Sequence, residues 1–133
     1  MKEEYRELVK KLFIGENKSC SETVFEAALK IRGIEPEEKC FFMMCGFSGG
    51  LSCGHDCGAV TGGVAAISYL YCDGTKESKD KVKELSKAFV ERAEAEFGTI
   101  TCKTLKVYWR KNEETRCIAL VEKTLEILLE TIG

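Results

Sequence analysis

Residues 57–67 read Cys57-Gly58-Ala59-Val60-Thr61-Gly62-Gly63-Val64-Ala65-Ala66-Ile67, an uncharged stretch with three glycines inside an apolar run. Polar and apolar residues do not alternate as they would in a half-buried strand, so the run is read as a buried helix. Each interior glycine costs up to ~1 kcal/mol relative to alanine. Three of them call for a compensating reason, and close approach of another helix or of a cofactor supplies one. The spacing Gly58-x-x-x-Gly62 puts two on one face. Residues 46–63 hold seven of the 12 glycines, and Gly46, Gly49, Gly50 and Gly54 suit a tight loop before the helix.

Outward from this centre the pattern stays helical. The chain has one proline, Pro36, and its apolar residues recur at helical spacing. Leu8, Val9, Leu12 and Phe13 predict a helix over about 3–14, closed by Gly15. Ser19 and Glu22 form a capping-box pattern ahead of a helix from Cys20 to about Arg32, stopped by Gly33. Pro36 is placed as the first residue of a short helix ending near Met44. Val82, Leu85, Ala88, Phe89, Ala93 and Phe97 trace a stripe along a charged helix from Lys76 to Phe97, with Gly98 as its end. Two more helices are expected, from Cys102 to about Lys111 and from about Glu113 to Thr131. The predicted fold is all-α, a single domain over 1–133, a bundle of about six or seven helices with a glycine-rich loop before a buried central helix.

Leu, Ile, Val and Phe number 34 of 133 residues, enough for a folded core. The charges nearly cancel, 20 basic against 22 acidic, so no global field favours nucleic acid or an anionic membrane. No apolar run approaches the ~20 residues that span a bilayer, so membrane insertion is not expected. The N-terminus mixes charges, and a cytoplasmic location is the expectation. Nucleotide-binding glycine motifs and the Cys-x-x-Cys-His of covalent haem are absent. His55 is the only histidine and is poorly oriented to serve a cysteine two residues away as a base.

Eight cysteines in such a chain point to metal or redox chemistry. Four share a setting at or near helix starts. Cys20 follows Ser19, Cys57 follows Asp56 and Cys102 follows Thr101, all good capping residues, and Cys117 sits about one turn into the last helix. For Cys20, Cys57 and Cys102, free amides and the helix dipole of the first turn favour the thiolate, so lowered pKa values are expected. Cys57, beside an open glycine loop, is the thiol expected to react first. Convergence of these helix ends would suit an anionic cofactor held by thiolates, such as an iron–sulfur cluster. Cys72 lies about 22 Å along the helix from Cys57 and is outside such a site. Cys40 and Cys45 read as small packing residues. Cys53, His55 and Cys57 form a weak local zinc pattern with no downstream pair.

Cys20, the segment Cys57-Gly58-Ala59-Val60-Thr61-Gly62, Cys102 and Cys117 together resemble the redox-active protein family named for its C_GCAxxG_C_C pattern. The resemblance spans roughly 20–121. Its label sets glycine before the cysteine and alanine after it, where this chain has Asp56 and Gly58. The resemblance implies a redox role and names no substrate. Three readings stand. In the first, Cys20, Cys57, Cys102 and Cys117 ligate an iron–sulfur cluster for electron transfer or sensing, with Gly58 and Gly62 giving it room. In the second, a metal-free thiol–disulfide oxidoreductase uses Cys57 as attacking thiolate. In the third, the cysteines hold zinc or only pack. The expected partners are a redox protein or a small thiol, with a homodimer as an admissible assembly.

Overall fold

The computed structural model describes all of residues 1–133 as seven α-helices without strands. They are α1 (Glu3–Lys10), α2 (Cys20–Ile31), α3 (Glu38–Phe42), α4 (Gly58–Tyr71), α5 (Lys76–Phe97), α6 (Cys102–Trp109) and α7 (Ile118–Ile132). The glycine-bearing helix α4 is central: α2, α5 and α7 all pack on it, α2 most extensively. Val24, Leu29, Val60, Ile67, Phe89, Val121, Leu125 and Leu128 meet in one core. No helix is long and apolar enough to cross a membrane.

Close helix contact explains the interior glycines. A Cβ on Gly62 would stand 2.5 Å from the Ser21 carbonyl oxygen, and one on Gly63 would stand 2.5 Å from the Phe89 ring. Any side chain at these positions would force the α2 backbone or the buried Phe89 ring away, so the local helix cost is offset by packing density. α2 itself starts where its capping box predicts, with the Ser19 and Glu22 side chains each bonded to the other's backbone amide. Glu26 is buried on α2 but holds ion pairs with Lys18 and with Lys30, the latter at 2.8 Å. α5 has the predicted bounds, capped by the Thr75 side chain and closed by Gly98 at φ 80°.

Three boundaries differ. α1 gives way to a π-helical turn over Lys11–Gly15. α3 is only five residues long and Glu37 is its cap, so Pro36 precedes the helix instead of opening it. α7 begins at Ile118, not near Glu113. The Asn112 side chain accepts from the Thr115 amide at 2.8 Å, and its carbonyl accepts from the Arg116 amide at 2.9 Å. That local turn competes successfully with the helix, and Arg116, at φ 48°, marks its end.

Candidate functional site

Each of the four expected cysteines is delivered by a helix start, in two geometries. Cys20 and Cys102 are the first residues of α2 and α6, whereas Cys57 and Cys117 are the residues just before α4 and α7. Cys117 therefore sits at its helix's mouth, a turn earlier than the sequence suggested, because the Asn112 turn consumes the residues before it.

Backbone pairing aligns two of them. The Cys57 amide donates to the Ile100 carbonyl at 2.7 Å and the Cys102 amide to the His55 carbonyl at 2.6 Å, so the approaches to α4 and α6 run side by side. Gly58 lets Cys20 join: a Cβ there would stand 2.4 Å from the Cys20 sulfur. The loop between α3 and α4 packs from another side. A Cβ on Gly50 would stand 2.6 Å from the Cys102 Cβ. This loop runs left-handed for four residues, with φ 65° at Gly49, 67° at Gly50, 58° at Leu51 and 64° at Ser52. Two of those residues carry side chains, at a cost of ~1–2 kcal/mol each.

All four cysteines line one cavity of about 200 Å³. Gly58 lines it as well, while Gly62 does not; the face of α4 that carries Gly62 is taken by the Ser21 backbone. Lys106, Arg110 and Arg116 complete the wall and no carboxylate does. Arg116 is fixed by donating to the Phe13 carbonyl and by lying over the Phe13 ring, 4.1 Å from its centre. These cations are pocket residues that the sequence pattern does not single out. The spacing Cys102-x-x-x-Lys106 already puts one on the cysteine's face of α6.

Burial reverses the expected acidity. Desolvation pushes the Cys57 thiol up to about 12, with the neighbouring Cys20 adding to the effect, although the Val60 and Ala59 amides pull the other way. Cys102 is raised by burial and then by Cys20, against the opposing Lys106 charge. Cys117 is raised by burial and by Cys20 and Cys102, against Arg110 and Lys106. A helix start stabilises a thiolate only where the thiol keeps its solvent, and Cys57 is 3% exposed. It is not the open, acidic thiol that its glycine neighbours suggested.

The sequence model of the family described as putative redox-active protein (C_GCAxxG_C_C) matches residues 18–131. The chain belongs to this family. All four pocket cysteines lie inside the matched span, as does the whole of α4. No curated protein and no solved structure matches the chain significantly.

The remaining cysteines lie elsewhere. Cys40 borders a separate apolar cleft with Phe25 and Met44, and Cys45, Cys53 and Cys72 are exposed. The Cys53 sulfur reaches only the Gly50 carbonyl, at 3.7 Å, so the local Cys53, His55 and Cys57 zinc pattern does not assemble. All eight thiols are free, and no three His, Cys, Asp or Glu residues are grouped tightly enough to hold a metal ion.

Proposed function

We propose that Cys20, Cys57, Cys102 and Cys117 hold an iron–sulfur cluster through which the protein transfers or senses single electrons. The observation that carries this reading is one cavity of about 200 Å³ lined by four thiols and three cations with no carboxylate. A single zinc ion, with Zn–S near 2.3 Å in a tetrahedron, needs sulfurs about 3.8 Å apart. No three such ligands are grouped for one ion, so the donors do not match a single tetrahedral zinc. Lys106, Arg110, Arg116 and four helix starts would offset the negative charge of a thiolate-bound cluster.

When bound, such a cluster supplies one reversible electron. The chain's own residues do the rest. Cys57 must lose its proton on binding, which its burial opposes, so loading is steeply pH-dependent. Gly58 keeps the approach between Cys20 and Cys57 free of side chains. Leu105, Leu120 and Phe13 exclude water from one wall of the cavity. With its proton held to about pH 12, Cys57 is a poor attacking group at neutral pH, which weighs against the thiol–disulfide reading.

Anaerobic incubation with ferrous iron and sulfide, followed by absorption spectroscopy, paramagnetic resonance and metal analysis, tests the proposal. Iron and sulfide in stoichiometric amounts, lost together in Cys57→Ala and Cys102→Ala, are the expected result. Zinc bound in place of iron, or metal-free protein whose spectrum never changes, would overturn it.

A further inference from the structure

We propose that the outer side of α6 and the residues that follow it, comprising Lys103, Lys106, Val107, Tyr108, Arg110 and Lys111, form the docking surface for an acidic redox protein. The proposal rests on the reading of the pocket as a redox centre and adds where electrons enter or leave.

Three observations meet on this segment. The first is charge. Residues 102–112 carry four cations and no carboxylate, in a chain whose net charge is −2, so the remainder stands at −6. The 22-residue helix α5 is the internal control: it carries six cations and six carboxylates, with ion pairs such as Lys76–Asp80 and Lys87–Glu91. On the α6 segment only Arg110 is paired, with the exposed Glu113 at 3.0 Å, while Lys103, Lys106 and Lys111 have no partner.

The second observation is apolar exposure among those charges. Val107 and Tyr108 are 75% and 72% exposed, more than any other large apolar side chain of the protein. An exposed aromatic on a segment whose only charges are cations has the composition of a protein contact, not of an ordinary solvated face. The third is continuity with the site. Cys102 opens this same helix, and Lys106 and Arg110 lie both on the patch and in the wall of the thiol cavity. A partner seated here would stand against the pocket with no intervening layer of chain. Charge complementarity selects an acidic occupant.

The step is a simple exchange. One electron leaves the reduced centre of the partner, which is oxidised by one, and the pocket's centre is reduced by one; no bond forms or breaks and no proton has to move.

A reduced plant-type [2Fe–2S] ferredoxin, small and acidic, is a suitable probe. Its binding to the metal-free, thiol-reduced chain is measured by calorimetry at low and high salt. Expected are a complex at low salt that weakens about tenfold or more on adding salt, and a loss of about tenfold in Lys103→Glu/Lys111→Glu at low salt only. Lys79→Glu/Lys83→Glu on α5 should leave binding unchanged, and Tyr108→Ala should weaken it without altering the salt slope. Absence of salt-dependent binding, or equal losses in both charge-reversed doubles, overturns the proposal. In iron-loaded protein, reduction by ferredoxin should slow in the α6 double while reduction by dithionite does not; equal rates with ferredoxin would also overturn it. If no cluster assembles, the redox reading fails by its own spectrum, and the binding experiment still decides the docking surface.

Discussion

The four thiols are delivered by two halves of the molecule that differ in kind. Cys20 and Cys57 come from the packed centre: a complete capping box sets the start of α2, and Gly58 and Gly62 press α4 against it. Cys102 and Cys117 come from the rim. α6 buries only Cys102 and Leu105, α7 is entered through an irregular turn, and the cations are here. The first half is fixed by the same packing that makes the protein fold, so it tolerates little change. The second is held by backbone pairing and a few side chains, and it faces whatever the site meets.

The sharpest break of that contrast is Gly62→Leu. A Cβ alone would lie 2.5 Å from the Ser21 carbonyl and 2.9 Å from its Cα, both backbone atoms of α2. The loss should exceed the ~1–3 kcal/mol of ordinary overpacking, and urea unfolding monitored by circular dichroism should find little folded protein. A stable Gly62→Leu chain would mean that the two helices are not locked together, and the contrast between the halves would disappear.

Acidity offers a second break. Cys57 has an ordinary pKa of 9.0 in the unfolded chain and about 12 when folded. The folded state therefore holds the proton more tightly, so this contribution is complete below pH 9 and is lost as pH rises towards 12. By pH 10 the metal-free protein should have lost on the order of 1 kcal/mol from this group. Cys57→Ala should flatten that part of the stability profile relative to the parent chain; identical profiles would show that the thiol is solvated. Timed alkylation of the folded, reduced protein reads the same burial, with Cys45, Cys53 and Cys72 labelled before Cys57.

Ser19→Ala is the milder probe of the packed half. It removes the hydroxyl that accepts from the Glu22 amide, at a cost of about 1 kcal/mol. If Cys20 is positioned by the cap, iron loading should weaken along with stability. Unchanged stability would show that tertiary packing alone sets the start of α2.

The packed half was legible because its signals are local and chemical. Ser19 with Glu22, Gly98 after Phe97, and three glycines in an uncharged helix each have one economical explanation, and the structure supplies it. The common cavity of Cys20, Cys57, Cys102 and Cys117 was likewise foreseeable from their helix-start positions. Burial was not. A capping residue before Cys57 and a glycine after it argue for an acidic, open thiol, but burial depends on contacts beyond these neighbours: Cys20 of α2 and Phe47 and Ser48 from the far end of the preceding loop all come against Gly58. The Asn112 turn was missed because Glu113 and Glu114 suit a helix's first turn, and the side chain that overrides them stands just before. Lys106, Arg110 and Arg116 carry no distinguishing signal in the sequence; α6 brings two of them to the pocket that Cys102 lines, and the Asn112 turn sets the third before Cys117.

The smallest effect separates strain from design in the rim half. Leu51 is 43% exposed and sits at φ 58° in the left-handed run whose Gly50 packs on Cys102. Its conformation costs ~1–2 kcal/mol, and replacing it by glycine removes that cost while giving back ~0.4–1 kcal/mol through the greater freedom of the unfolded chain. Leu51→Gly should therefore raise stability by about 0.5 kcal/mol, measurable as a shift of the urea midpoint at constant slope. The run itself is held by the His55 amide donating to the Gly50 carbonyl at 2.8 Å and by the Ser52 hydroxyl donating to the Gly46 carbonyl at 3.1 Å. Neither bond involves the Leu51 side chain, so the loop should keep its place against Cys102. A loss of stability in Leu51→Gly would mean that the leucine side chain supplies more contact than its exposure indicates, and that the left-handed turn is held by packing instead of being tolerated at the edge of the pocket.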